Sequence, residues 1–466
     1  MMRLYQHHHP EEVPRLTISQ ALTRIKGNLS EVVPQALLDT ICRQLGYSWR
    51  RRTLTPVVTT YLFLRQILHG NPAVGAVQRL SGLDFTDSAY CQARARLPLA
   101  FFRRLQRAVT GTCRSADGPD PAPRWQGHRL FLLDGSSFSM PDTAELQEAF
   151  GQPGAQAPGC GFPTAHLLVL FDAYAGFLRH ALPAPLRTHD LSRAAVLHRA
   201  LEPGDVLGGD RAFCSYAQLA LLRQRQLHGL FRAHQKLLVN FRPHRRHVHP
   251  KRAGKESAGL PRSRWLRRLG KHDQLVEYFK PKERPEWMTA AEYAPLPESL
   301  VVREVRFRVQ EPGRGVRTVT LVTTLRDPRR YSARALAKLY AQRWQVETDL
   351  KHLKDTLGMD VLRCETVPGV VTELLMLVVV YNLVRRVMRE AGWRQGVAPD
   401  RISFVDALRW LRYARAGEEW PRLRVNPARP GRVEPRVRKR RPKQYDLRRK
   451  PRAELRKALL DKRRAA

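Results

Sequence analysis

Four residues in the stretch YAQRWQVETDLKHLK are spaced for phosphate chemistry: Tyr340, Arg343, Glu347 and Lys354, in a Tyr-x2-Arg-x3-Glu-x6-Lys pattern. On one α-helix, at about 100° per residue, they share a face within an arc of roughly 60°. One acid flanked by two cations and an aromatic hydroxyl is a layout for holding a divalent cation beside a phosphate. Asp349 falls on the opposite face by the same arithmetic, which leaves Glu347 as the acid to follow. The plainer alternative is a helix surface carrying an i,i+4 pair between Arg343 and Glu347.

Metal-assisted phosphoryl transfer needs carboxylates that converge from separate elements, because Mg²⁺ and Mn²⁺ take oxygen ligands and clamp the attacking and leaving oxygens. Two further acids close short apolar runs: Asp134 ends RLFLLD and Asp210 ends DVLGGD. With 42 acidic against 82 basic residues, an acid directly after an apolar strand needs a reason. Each has a structural reading too: Asp134 before Gly135 suits a turn, and Asp210 could pair with Arg211. Asp172 also ends an apolar run, but at the approach to a turn, and stands in reserve. Asp142 reads as a turn or helix-cap residue, and Asp205 begins a strand instead of ending one.

The elements that must carry these acids can be read coarsely. Up to about residue 113 the apolar spacing is helical, as in Leu37, Leu38, Ile41 and Leu45. Ser88 reads as an N-cap for a helix that projects Arg94 and Arg96, either into a DNA groove or as the solvated face of a bundle helix. A Pro- and Gly-rich linker, SADGPDPAPRWQ, follows. Strands and helices then alternate: HRLFLLD, two strands meeting near Ala175-Gly176, a helix from Asp190, the strand DVLGGD, the helix SYAQLALLRQRQL and the strand HGLFRAH. Residues 236–298 are basic and poorly periodic, and VREVRFRVQ and VRTVTLVTTL form a hairpin about EPGRG. Helices resume at Tyr331. The run Leu374–Val380 is too short to span a bilayer and reads as buried helix. Beyond about 421 the chain is Arg/Lys/Pro-rich, with a short helix at AELRKALLDKRR.

Composition narrows the partner. The 466 residues carry a formal net charge of +40 while 43% are hydrophobic, so the chain can bury real cores and still needs a polyanion. Nucleic acid is the default partner. Six scattered cysteines without a C-x-x-C pair fit a reducing cytoplasm and give no zinc framework. His244, His247 and His249 read as a solvated basic loop. Ser136 and Ser137 lie outside a G-x-S-x-G elbow, and PGCGFP is not a dinucleotide loop.

The segments DGSSFSMPDT, GDRAFCSY and Y-x2-R-x3-E-x6-K, in that order, resemble the catalytic signatures of DDE transposases of insertion-sequence family four. DQLVEYFKPKERPEWM followed by LPESLVVREVRF is similar to the insertion such enzymes carry between the second and third acids. The resemblance covers roughly residues 20–390. It implies an α/β fold: a ribonuclease H-like catalytic core interrupted by a mostly β insertion domain, with a helical N-terminal domain. The chain then divides into a helical DNA-binding domain at 1–122, core at 123–235, insertion domain at 236–325, core with the Glu-bearing helix at 326–412, and a basic tail at 413–466. The resemblance makes Asp134, Asp210 and Glu347 the catalytic ligands of Mg²⁺ or Mn²⁺. Tyr340, Arg343 and Lys354 would contact DNA phosphates, and Trp287 or Trp265 would stack on a flipped base. The implied partners are double-stranded DNA, as inverted-repeat ends and as target, and a second copy of the chain on that DNA, with no membrane. The implied setting is the bacterial cytoplasm, in association with the nucleoid. The implied reaction cleaves a strand at the element end and joins the 3′ hydroxyl to another phosphodiester. A binding protein that has lost catalysis, or a structure-specific nuclease on the same core, would share these features.

Overall fold

The computed structural model describes residues 29, 33–50, 52–112, 124–188, 190–250, 260–311, 315–413, 420–427 and 448–465. Most of the Pro/Gly linker, the centre of the EPGRG turn and much of the basic tail lie outside the described residues. The chain divides into two units, Met1–Val109 with Leu408–Pro421, and Thr110–Ala407 with Arg422–Ala466.

The helical spacing of the first unit folds as α1 (Gln35–Gln44), α2 (Pro56–Leu68), α3 (Val74–Ser81), α4 (Asp87–Arg96) and α5 (Leu99–Thr112). Tyr61, Phe63, Phe101, Phe102 and Leu105 are fully buried and fill its centre. Thr55 and Thr86 cap α2 and α4, accepting the N–H groups of Val58 (3.2 Å) and Ala89 (3.1 Å). The α4 cap is therefore Thr86 and not Ser88, whose backbone already lies in the first helical turn. Arg94 also departs from expectation. Its guanidinium sits 3.7 Å from the centre of the Phe63 ring and donates to Gln66 Oε1 at 3.3 Å, so it packs inside the bundle and is not aimed at a groove. A planar cation over an aromatic face beside an amide acceptor is well served there. Arg96, at the end of the same helix, is exposed.

The second unit is a mixed α/β fold on one nine-stranded sheet. Its strands are β1 (Leu130–Ser139), β2 (Thr164–Asp172), β3 (Leu178–Pro185), β4 (Val206–Gly209), β5 (His228–Arg232), β6 (Arg262–Gly270), β7 (Asp273–Phe279), β8 (Ser299–Glu311) and β9 (Gly315–Thr323). They lie in the order 3-2-1-4-5-9-8-7-6. β1–β2–β3 form an antiparallel meander, whereas β4 and β5 run parallel to β1. The strands of the 236–325 block continue this sheet through antiparallel pairing of β9 with β5. β6 and β7 arise in the stretch that looked unperiodic. β6, RSRWLRRLG, is the outer edge strand and is largely exposed, so nothing forces apolar alternation on it.

The helices of this unit are α6 (Ala144–Phe150), α7 (Asp190–Leu197), α8 (Tyr216–Gln224), α9 (Ala290–Tyr293), α10 (Ala333–Ala341), α11 (Arg343–Lys351), α12 (Val367–Arg394), α13 (Phe404–Tyr413, continuing into the first unit) and α14 (Arg452–Ala465). One face of the sheet buries Phe131, Leu133, Leu168 and Leu207 against Leu191 of α7 and Leu219 of α8. The other packs Val206, Leu230 and Leu321 against Leu336, Leu339 and Tyr340 of α10, with Leu130 alongside. Side chains alternate along β1, so Asp134 shares the face of Leu130 and looks toward α10 and α11. α12 is long and apolar enough by composition to cross a membrane, but 67% of its most apolar stretch is buried inside the protein. Within it Asn382 bonds both the N–H and the carbonyl of Leu178 at 2.9 Å, a buried polar anchor to β3.

Candidate active site

The register of β1 and β4 sets Leu133 opposite Gly209. The next residues, Asp134 within β1 and Asp210 just past the end of β4, therefore lie side by side. The two glycines of β4 permit close packing: a Cβ on Gly208 would lie 2.9 Å from Leu132 Cδ2, and one on Gly209 3.0 Å from Phe213. Asp134 is not a turn residue. It sits inside β1 opposite Val169, and its Oδ1 accepts the Gly135 N–H at 2.9 Å. Asp210 begins a short 3-10 turn, Arg211–Phe213, and accepts the Ala212 N–H at 2.8 Å. Arg211 donates to Gln235 Oε1 at 3.0 Å.

The Tyr-Arg-Glu-Lys stretch is not one uninterrupted α-helix. α10 ends at Ala341, α11 starts at Arg343, and His352–Thr356 form a π-helical turn. Tyr340 is on α10, Arg343 and Glu347 are on α11, and Lys354 is in the wider π turn, so the single-face arithmetic fails for Lys354. The distortion coincides with a packing demand. The His352 ring stacks on Phe404 with centroids 4.2 Å apart and planes 8° from parallel, and Leu353 is fully buried. π turns recur at functional sites.

The charges of these residues act on one another. Burial pushes Asp134 up to about 6; the Gly135 N–H bond and Arg343 oppose the rise, and the negative charges of Asp210 and Glu347 add to it. Burial likewise raises Tyr340, with Arg343 and Arg232 pulling against it and Asp210 adding to it. Arg343 donates to Glu347 Oε1 at 3.0 Å, and its Nε is buried without a hydrogen-bond partner. The Glu347 side chain is 49% exposed. The three carboxylates are electrostatic neighbours without closing on a point: among the described residues no group of three or more His, Cys, Asp or Glu is arranged to hold a metal ion. The donor set nevertheless suits a hard divalent cation. It is all carboxylate, and its buried member is raised chiefly by burial, with neighbouring negative charge adding to a shift that a cation would oppose.

A buried network sets the place of α11, and its one trace in the sequence is an arginine inside an apolar helix. Asp349 and Arg385 are almost fully buried and pair at 3.4 Å. Arg385 also donates twice to the Ala175 carbonyl, at 2.8 and 2.6 Å, and Tyr381 donates to the Gly176 carbonyl at 2.9 Å. Gly176 has φ +67°, and a Cβ there would fall 2.1 Å from the Arg385 guanidinium, so both backbone and space require glycine. Two residues after Glu347, then, its helix is tied through α12 to the β2–β3 turn.

The other acids serve structure. Asp172 lies opposite Phe131, three residues along β1 from Asp134, accepts the Tyr174 and Ala175 N–H groups and pairs with Arg179 at 3.1 Å. Asp205 pairs with Arg129 at 2.6 Å. Asp142 holds Gln147 at 2.7 Å and Arg452 at 2.7 Å, while Thr143 caps α6. The Asp190 carboxylate meets the His166 ring beside Gly135. Trp287 is partly buried against the core, and Trp265, on β6, stands 4.7 Å from the His244 ring.

Comparison with known proteins adds independent findings. A family model described as a transposase DDE domain matches residues 125–383. The chain is similar to the transposase InsG for insertion sequence element IS4 of Escherichia coli strain K12, with 25% identity over 324 residues. That match takes in 69% of this chain and 65% of the relative, a little under two thirds of its length. Among solved structures it is similar to a cryo-EM structure of a piggyBac transposase synaptic complex with hairpin DNA, at 9% identity and a TM-score of 0.38, over 84% of this chain and 78% of that one. This last likeness is too distant to bear on details.

Proposed function

The chain belongs to the family of transposases built on a DDE domain, and from that premise we propose that it is a DNA transposase that cleaves element ends and joins them to target DNA. The observation that carries this reading is the placement of Asp210, just past the end of β4, beside Asp134 within the adjacent parallel strand β1, with Asp134 in the electrostatic reach of Glu347 and Arg343. The strand order 3-2-1-4-5, with β2 antiparallel, supports reading this half of the sheet as a ribonuclease H-like core.

Asp134, Asp210 and Glu347 would hold Mg²⁺ or Mn²⁺, which when bound supplies a Lewis acid for the scissile phosphate and an activated water. The chain's own groups do the positioning. Arg343, with its buried Nε unsatisfied, offers a charge-assisted donor to a phosphate oxygen. Tyr340, whose pKa burial raises above its usual range, offers a neutral hydroxyl as a hydrogen-bond donor to a phosphate oxygen. Lys354 would add a further positive charge from the π turn. Trp287 and Trp265 are the aromatics available for a flipped base. The partners under this reading are element ends, target DNA and a second copy of the chain, in the cytoplasm.

The test is incubation of the protein with Mg²⁺ and end-containing duplex DNA, resolving nicked from joined products. Joined product is expected. Nicks alone would favour a structure-specific nuclease. Binding without either product would favour a protein that has lost catalysis, a reading that the intact set of three acids argues against.

A further inference from the structure

A cleft of about 390 Å³ opens in the first unit where the segment after α1 meets α2 and the end of α4. Tyr47, Trp49, Arg50, Arg52, Thr59 and Arg96 line it, and none of its lining residues is acidic. We propose that this cleft binds an unpaired DNA base together with the phosphates that flank it. The proposal rests on the reading of the protein as one that acts on DNA, and it assigns a second contact, on a different unit from the one that carries the carboxylates.

Three observations converge. The Tyr47 and Trp49 rings lie within 19° of parallel with centroids 6.2 Å apart, and Trp49 is 40% exposed, so a flat apolar face is open to a ligand. Arg50, Arg52 and Arg96 are exposed around it, and Arg96 is braced at 3.1 Å by Gln92 and lies near enough for its charge to act on the Tyr47 hydroxyl. Thr59 supplies the third. Its hydroxyl is buried at the cleft wall with no hydrogen-bond partner, whereas the adjacent Thr60 hydroxyl donates to the Pro56 carbonyl at 2.7 Å. A buried hydroxyl rarely goes unpaired unless a ligand or water completes it.

The combination selects the ligand. Three guanidinium groups without a carboxylate call for a polyanion, and a phosphate chain alone has no use for a flat aromatic face. A nucleotide has both a π face and phosphates. The base must be unpaired, because a duplex buries its base faces in the stack.

The experiment uses the full chain and two DNAs of one arbitrary sequence, a blunt duplex and the same duplex with a two-nucleotide 3′ overhang bearing 2-aminopurine. Binding is followed by anisotropy and by quenching of the 2-aminopurine. The parent protein should prefer the overhang DNA. Trp49→Ala should weaken that binding about tenfold, the scale of one lost base stack, and change blunt-duplex binding by less than about twofold, while Trp49→Phe restores it. Thr59→Val should reduce the preference for the overhang, and Arg50→Gln with Arg52→Gln should weaken both DNAs and flatten their salt dependence. Equal losses on both DNAs from Trp49→Ala, or no loss, would overturn the proposal in favour of a phosphate-binding surface only. If the same parent preparation still cleaves DNA with Mg²⁺, that failure leaves the transposase reading intact. A parent protein that neither binds nor cleaves DNA overturns both.

Discussion

The middle of the long sheet and its β6 side treat buried charge in opposite ways. On the β6 side the buried acids have been given partners. Glu304 is fully buried and accepts from Gln274 at 2.7 Å and Tyr278 at 2.8 Å, and Asp273 takes a two-pronged bond from the fully buried Arg303. Where β1 meets β4, Asp134 faces two like charges, and the Arg343 Nε beside them has no partner. The first pattern is that of stability, because an unpaired buried charge is costly and pairing offsets it. The second is that of a binding site, where part of the polar bonding is left for an incoming phosphate and cation to complete. One sheet carries both, and its strand polarity separates them: among the described strands β1, β4 and β5 run parallel to one another, and there the end of β4 sets Asp210 beside Asp134 of β1.

The sharpest way to break this contrast is Asp134→Asn. DNA cleavage with Mg²⁺ should fall by at least about 10³-fold, the scale expected when a metal ligand that stabilises transition-state charge is lost. The thermal midpoint should not fall, since a like charge is removed. Cleavage equal to the parent would show that the electrostatic cluster is not the chemical centre. Arg303→Gln is the mirror image. It leaves Asp273 buried and uncompensated, so denaturant unfolding should lose about 3–5 kcal/mol. The residual folded protein should cleave at the parental rate. A loss below about 1 kcal/mol would mean that the Asp273–Arg303 pair is not the stabilising element.

A smaller effect concerns pH. His198 is buried beneath Gln218, and burial lowers its pKa to about 4, with Arg225 adding to the shift. The unfolded chain, with an ordinary histidine near 6.5, binds the proton first as pH falls. His198 therefore costs nothing above about 6.5, erodes stability between about 6.5 and 4, and has no further effect below that range, with a total near 3 kcal/mol. His198→Gln should flatten the stability–pH curve in that window, and an unchanged curve would remove His198 as the cause. The mildest change expected is Asp349→Asn, which keeps a polar atom for Arg385. It should cost about 1–3 kcal/mol and slow cleavage several-fold, with Mn²⁺ narrowing the gap to the parent if Glu347 placement is what suffers. Equal cleavage by parent and variant would make the Asp349–Arg385 pair purely structural.

How much of this was legible in advance varies with locality. The strand acids were visible because each ends a short apolar run that could hardly be anything but a buried strand. The β2–β3 turn showed in Ala175-Gly176, and the packing supplies the reason: Arg385 fills the space that a side chain at Gly176 would need. β6 was hidden because an exposed edge strand has no burial to impose a pattern. Arg94 was misread because its helix is polar on nearly every side, so the spacing could not show that Phe63 and Gln66 would draw it inward.

Residue types and their spacing along the chain were enough to pick out the residues able to do the chemistry and the order of the elements that bear them. Those are properties of side-chain type and local period, and the chain carries them before it folds. Tertiary structure alone decided that Leu133 pairs with Gly209 and so brings Asp134 beside Asp210. It also decided that stacking of His352 on Phe404 accompanies a π turn that breaks the helical register of Lys354. Register and turn geometry of this kind depend on contacts between segments distant in sequence, and no local pattern encodes them.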